Sequence, residues 1–356
     1  MHGVKRQKYD AELRKRKLAK DVAKIENYRG LTNQFFIKRD SNDHSLETFK
    51  LTSTILNINP EFYTVWNYRR EILLGTLIPN SQSVNDLFDT ELNFTMAQLK
   101  KVPKCYWVWT HRQWCLETNP YSNFTKEIFI VNKLLELDSR NFHGWHYRRY
   151  VIGLLEKQTG KSQSLKEFQY TTKLINKNFS NYSALHNRTK LIEKIFSEKT
   201  TIEADNEEDQ KNLELFRTKK HFLEKEINYF KNAIYTDPDD QSVWLYLNWL
   251  LTSDFFSSGI DAKEFVDLLV LQINEIDELN ELEKEDNNGI DNKWCLKVKS
   301  SIELALVNKF SIEKMVNNEG QEITLKEDIL KAIELLKIAD PKRINRYIEI
   351  QKNIGL

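Results

Sequence analysis

The chain has 356 residues, with 53 Lys and Arg against 52 Asp and Glu, a formal net charge of +1 at pH 7. That balance excludes a dedicated nucleic-acid binder, which carries a clear surplus of basic residues. Gly and Pro are scarce, at 10 and 6, so the composition favours helix, and three irregularly spaced cysteines, Cys105, Cys115 and Cys295, give no disulfide framework and fit a reducing compartment.

Residues 1–24 are highly charged and lack the apolar stretch of a secretory signal. No apolar run approaches the ~18 residues of a membrane span. The expected location is therefore cytoplasmic. Residues 1–44 read as a basic N-terminal segment and lead-in helix, with Lys5, Arg6, Lys8, Arg14, Lys15, Arg16, Lys17, Lys20 and Lys24 on an exposed face. Residues 45–356 read as one repeat domain.

Four stretches of that domain place an aromatic, a large apolar residue and an arginine at intervals of three. They are Tyr63/Trp66/Arg69, Tyr106/Trp109/Arg112, Phe142/Trp145/Arg148 and Tyr182/Leu185/Arg188. A fifth copy keeps Trp244 but has Gln241 and Leu247 beside it. The steps between centres are 43, 36, 40 and 59 residues, the size of a supersecondary repeat. Residues three apart share a helix face, so each aromatic and its central residue should form a ridge that a second helix covers. The arginine follows one turn later, where its stem packs and its head finds carbonyls or a carboxylate.

The covering helices show as apolar periodicity, in Ile128, Val131, Leu134 and Leu135 before the third copy and in Leu223, Ile227, Phe230 and Ile234 before the fifth. Short breaks divide the pairs at Asn59-Pro60, Asp138 to Asn141 and Asp237-Pro238, and Asn or Asp followed by Pro suits an N-cap and first helical position. The expected fold is all-α, an α-solenoid of about five or six stacked helical hairpins in a tetratricopeptide-like superhelix. Two acidic stretches, near 197–210 and 275–293, are expected to be solvated surface loops without function of their own. Leu325, Ile329, Ile333 and Leu336, with Ile344 to Ile350 behind them, form a degenerate last unit.

These repeats resemble the tryptophan-bearing hairpins of protein prenyltransferase α subunits, whose core reads Asn-Tyr-x-x-Trp-x-x-Arg. The nearest copies are Asn141-Phe-His-Gly-Trp145-His-Tyr-Arg148 and Asn181-Tyr-Ser-Ala-Leu185-His-Asn-Arg188. The resemblance runs from about residue 45 to 350 across several copies in register. Leu185 and Leu247 depart from the pattern without removing it. The opening Met1-His2-Gly3-Val4-Lys5-Arg6 and the stretch Arg140 to Arg149 are most similar to the Rab geranylgeranyltransferase branch, in its compact fungal form. The other branch, the α subunit shared by farnesyltransferase and type I geranylgeranyltransferase, differs in partner and substrate. A non-catalytic tetratricopeptide scaffold fits less well, since its repeats run to about 34 residues.

The resemblance implies an obligate heterodimer with a β subunit. It implies transfer of geranylgeranyl from geranylgeranyl diphosphate to C-terminal cysteines of Rab GTPases presented by Rab escort protein. Zinc and most of the isoprenoid pocket would belong to the β subunit, leaving no metal site in this chain. The α subunit would supply donors to the departing diphosphate, here Lys104, Tyr106, Asn141 and His143, with Lys104 and His143 acting on the chemical step. Both pairs lie at the starts of corresponding helices on adjacent hairpins, where exposed N–H groups favour an anion. Trp66, Trp109, Trp145 and Trp244, with Arg69, Arg112, Arg148 and Arg188, would be structural. His2 lies on a tether able to reach a distant metal. Cys105, His111 and Cys115 lack a fourth ligand at any recognisable spacing, which argues against zinc there. The chain carries no Gly-rich phosphate loop.

Overall fold

The structure is a computed structural model that describes residues 11–317 and 320–353. His2, Lys5, Arg6 and Lys8 lie outside the described residues. The chain divides into two compact units, Met1–Leu155 and Glu156–Leu356. The division does not fall at residue 44, because the lead-in helix packs on the next one and joins the first unit.

The first unit begins with α1 (Ala11–Asp40), which is exposed over its N-terminal half and anchored by the buried Phe35 at its other end. Hairpins follow: α2 (Leu46–Ile58) with α3 (Tyr63–Ile72), α4 (Val84–Lys101) with α5 (Tyr106–Thr118), and α6 (Phe124–Leu137) with α7 (Phe142–Thr159). A π-helical turn, Leu73–Leu77, extends α3. Ser45, Ser83 and Asn123 cap α2, α4 and α6 through their side chains, each satisfying a backbone N–H that the helix leaves open. Gly144 lets α6 approach α7 closely, since a Cβ there would lie 3.0 Å from Leu135 Cδ2.

The breaks between paired helices differ from the capping reading. Asn59 and Asp237 close the preceding helices, their N–H groups donating to Ile55 and Ala233 carbonyls. Each side chain then accepts the N–H two residues on, from Glu61 and Asp239, making an Asx turn. Asn119, Asp138 and Asn178 repeat that bond. The prolines sit inside these turns, and the next helix starts at Tyr63 rather than at Pro60. Their carbonyls have a use. The Trp66 indole N–H donates to Pro60 O at 2.8 Å and that of Trp109 to Pro103 O at 2.9 Å. Trp145 and Trp244 donate likewise to Ser139 O and Pro238 O. Each buried tryptophan thus fills the core while its one polar atom is satisfied six residues back.

The leading aromatics do not share that burial. Tyr63, Tyr106, Phe142 and Tyr182 each open a helix and are 53, 61, 57 and 50% exposed. Side chains tilt toward a helix N-terminus, so a residue at the first position overhangs the end instead of facing the covering helix. Only the central half of the expected ridge is core.

The arginines tie consecutive hairpins together. Arg69 on α3 makes a two-pronged pair with Glu91 on α4 at 2.8 and 2.6 Å, and its third nitrogen donates to Thr52. Arg112 on α5 repeats the arrangement with Glu127 on α6 and Thr95. The next second helix adds a third donor to each carboxylate: His111 to Glu91 at 3.0 Å, and the Tyr147 hydroxyl to Glu127 at 2.8 Å. Burial first, then the neighbouring arginines, hold His111 below its ordinary pKa despite Glu91, so the ring is neutral and its proton sits on Nε2. Arg148 donates to Asn132 on α6.

The second unit takes in the last turn of α7. It contains α8 (Ser164–Lys177) with α9 (Tyr182–Glu198), α10 (Glu207–Leu215), α11 (Lys219–Thr236) with α12 (Gln241–Thr252), and the short α13 (Asp254–Ser257). Arg188 on α9 pairs with Glu226 on α11 at 2.5 and 3.0 Å, and the Tyr246 hydroxyl on α12 completes the triad. The first acidic stretch is not simply a loop. Its C-terminal part is α10, and the buried Asp209 accepts from Gln169 on α8, pinning the insertion down. The second acidic stretch is a larger correction. Glu275 to Asp286 form the end of α14 (Ala262–Asp286), and only residues 287–292 are loop. Leu269, Ile273, Ile276 and Leu279 carry the buried stripe into the acidic region as far as Asn280, so its charges flank an amphipathic helix whose last turns are exposed.

α15 (Lys293–Phe310) follows, then a small antiparallel hairpin, β1 (Lys314–Val316) and β2 (Glu322–Thr324), with Met315 opposite Ile323. α16 (Leu325–Ala339) and α17 (Ile344–Asn353) close the chain, burying Ile329, Ile333, Leu336 and Tyr347 with Leu296 of α15. The fold class is all-α, built of repeated helical hairpins as in an α-solenoid, with one hairpin of strand among the described residues.

Between α14, α15 and α16 lies a partly buried charge cluster. Lys299 reaches Asp277 at 2.9 Å, Asp328 at 2.8 Å and Glu303 at 3.8 Å. Glu303 is fully buried, with no hydrogen-bond partner for either oxygen within 3.5 Å. Burial raises its pKa far above the ordinary carboxyl value, and Lys299 only partly offsets this. A carboxyl whose folded pKa is raised binds its proton more tightly when folded. Stability is therefore full below the ordinary carboxyl range and falls as pH climbs toward the raised value. Asp277, also raised by burial, acts in the same direction, while Asp328, lowered by Lys299 against its own burial, opposes it. Glu303→Gln removes the titration but keeps the shape. It is expected to raise Tm at pH 8 more than at pH 5 and to flatten the pH dependence between them. An unchanged slope in thermal melts would rule out Glu303 as its source.

Candidate functional site

The starts of α5 and α7 meet within the first unit. The Tyr106 and His143 rings lie edge to face with centroids 4.3 Å apart, and Phe142 sits 6.2 Å from Tyr106. Asn141 joins the two turns, its Nδ2 donating to Pro103 O at 3.2 Å. Its Oδ1 accepts the N–H groups of His143 and Gly144 at 3.0 and 3.4 Å, capping α7. Much of the Asn141 carboxamide is therefore spent on holding the geometry.

Lys104 is exposed and makes no ion pair or side-chain hydrogen bond among the described residues. Tyr106 stands beside it, and His143 lies 6% exposed beneath the Tyr106 ring. Burial first, then the His146 and Lys104 charges, hold the imidazole below its ordinary pKa, with Glu61 opposing. His143 is thus a neutral donor at physiological pH. The four residues singled out from the sequence are brought together, as two exposed donors above two buried ones. An ammonium, a phenol and an imidazole lie at these adjoining helix starts, residue types suited to a multiply charged anion.

Sequence reasoning missed Phe142 and Trp107 as part of this surface. Phe142 overlies His143 at 3.9 Å, and Trp107 meets Tyr63 at 5.3 Å, extending the exposed aromatics to α3. The only available signal was their place beside the helix starts. Cys105, His111 and Cys115 do not assemble. The Cys105 thiol donates to Pro60 O, His111 is engaged by Glu91, and burial raises the thiol pKa of Cys105 to about 11 and that of Cys115 well above its ordinary value. Among the described residues no group of three His, Cys, Asp or Glu is placed to hold a metal, and no helix is long and apolar enough to cross a membrane.

Residues 37–75, 88–119, 124–155, 164–195 and 223–254 match the family described as protein prenyltransferase alpha subunit repeat. Each match contains one of the five triplet centres, and together they define the class as that of protein prenyltransferase α subunits. A Candida albicans protein named geranylgeranyl transferase type-2 subunit alpha is 40% identical over 98% of this chain and 96% of its own length. A Schizosaccharomyces pombe protein of the same name is 42% identical over 100% and 99%. Among solved structures, Candida albicans protein geranylgeranyltransferase-I complexed with GGPP aligns with a TM-score of 0.62 at 20% identity, covering 93% of this chain and 91% of that one, a likeness of fold. The chain belongs to the geranylgeranyl transferase type-2 α-subunit family.

Proposed function

We propose that the chain is the α subunit of a heterodimeric, cytoplasmic protein geranylgeranyltransferase. With its β subunit it transfers geranylgeranyl from geranylgeranyl diphosphate to C-terminal cysteines of Rab GTPases presented by Rab escort protein. The observation that carries the reading is identity of 40 to 42% over essentially the whole length of two relatives bearing the type-2 name. Zinc is assigned to the β subunit, where it supplies the acceptor as a thiolate.

In the transfer a thioether S–C bond forms, the C–O bond to diphosphate breaks, and the leaving group takes the electron pair. Negative charge therefore grows on the diphosphate, and donors placed before the reaction favour that state. Lys104 and Tyr106 present an ammonium and an O–H at the exposed edge. His143 provides a neutral N–H and orients the Tyr106 ring, while Asn141 keeps the two helix starts together. The exposed rings of Tyr63, Tyr106 and Phe142 suit a surface that a partner covers.

The chain is expected to be helical but inactive when expressed alone, and active when co-expressed with its β subunit. Circular dichroism and a prenyl-transfer assay on both preparations check this. Full activity of the lone chain would overturn the two-subunit reading, and stable folding with no β subunit ever bound would favour a scaffold.

A further inference from the structure

A cavity of 410 Å³ lies in the second unit between α12, α15, α16 and α17. Its volume is within the ~300–1,000 Å³ of small-molecule sites. Trp244, Leu304, Ile333, Leu336 and Ile350 form an apolar wall continuous with the cluster that closes the chain. Two lining residues carry polar atoms that no protein group satisfies: Asn248 Oδ1 and Ser300 Oγ are buried without a hydrogen-bond partner. Both atoms are closed off from the hollow, so the case for a ligand rests on the apolar wall and the charge at its rim.

The cavity also has a cationic rim. Lys297, Arg343 and Arg346 line it. Asp340 Oδ2 gathers the first two, accepting from Lys297 at 2.6 Å, Arg343 at 2.9 Å and the Tyr347 hydroxyl at 2.7 Å. One carboxylate thus fixes two cations in place, and Arg346, exposed on α17, has no carboxylate partner among the described residues. Three positive groups face one negative group, so the rim holds net positive charge beside an apolar hollow. An apolar hollow with cations at its rim matches a chain with a charged end.

We propose that this cavity binds a single-chain anionic amphiphile, an apolar chain bearing a phosphate or carboxylate head. The chain lies along Leu304, Ile333 and Ile350, and the head meets Arg346 with Lys297 and Arg343. The site is separate from the α5/α7 cluster and independent of the function proposed above.

Hydrogen exchange followed by mass spectrometry on the intact heterodimer tests this, because it locates binding on α16 and α17 whatever the β subunit binds. The probes are dodecyl phosphate, dodecanoate, dodecanol and inorganic phosphate, the lipids below their micelle limits. Dodecyl phosphate or dodecanoate is expected to slow exchange in α16 and α17, and the stronger of the two identifies the head group. Dodecanol should act weakly and inorganic phosphate not at all. Arg346→Ala should raise the half-protecting concentration about tenfold, the loss of one charge-assisted contact. Leu245→Trp, at a lining position already 39% exposed, should block binding without disturbing the core. No protection by either anionic lipid, equal protection by dodecanol, or protection unaltered in both variants would overturn the proposal.

Discussion

Lys104→Ala is expected to slow single-turnover prenyl transfer by about 100- to 1000-fold, the effect of losing one preorganised donor to developing charge. The ammonium is exposed and engages nothing else among the described residues, so its removal leaves no buried group unpaired. Heterodimer formation and Tm should therefore stay near wild type. That combination separates a role in chemistry from one in folding. His143→Ala should slow the step less, since a neutral imidazole offers one hydrogen bond, and it should also loosen the Tyr106 ring packed against it. Trp109→Ala should do the reverse of Lys104→Ala, lowering stability by roughly 3 to 5 kcal/mol through the cavity it opens. A wild-type single-turnover rate in Lys104→Ala would displace the diphosphate from the α5/α7 cluster while leaving family membership untouched.

Glu127→Ala is expected to destabilise the chain by roughly 3 to 5 kcal/mol, the effect of leaving a buried charge without its partner. Arg112 is 1% exposed and has both prongs on this carboxylate, and the Tyr147 hydroxyl loses its acceptor as well. Removing both charges is a different matter. Arg112→Met with Glu127→Leu should recover most of the loss, because apolar groups of similar volume avoid the desolvation that the ion pair must offset. Denaturant melts of the heterodimer check the pair. If the double variant were as unstable as Glu127→Ala, the triad would owe its worth to geometry that apolar side chains do not replace.

The repeats were legible because the signal is local. Tyr63, Trp66 and Arg69 lie on consecutive turns of one helix, and four more copies share the register. Their partners were not legible. Glu91, Glu127 and Glu226 follow their arginines by 22, 15 and 38 residues, so no fixed spacing marks them. Each looked like one more glutamate on an amphipathic helix, and only the stacking of hairpins buries it. The acidic end of α14 reads as loop because charge dominates it and the buried stripe enters it only as far as Asn280. Asn59 and Asp237 close the preceding helices instead of opening the next ones. The Asn/Asp-Pro signal is common to helix starts and Asx turns, and the deciding contact, indole to carbonyl, depends on a tryptophan six residues on. At the site, residue types and helix starts gave the four candidates. Their division into exposed and buried pairs follows from how α7 packs beside α5, which the one-dimensional pattern does not contain.

The most direct test of the proposed activity compares two acceptors in one assay. The heterodimer is given geranylgeranyl diphosphate with either a full-length Rab GTPase, with and without escort protein, or a short peptide carrying the same C-terminal cysteines. Transfer to the Rab that depends on escort protein, with little to the peptide, is the predicted result. Efficient modification of the peptide without escort protein would contradict the type-2 assignment and move the chain to the farnesyl and type I branch.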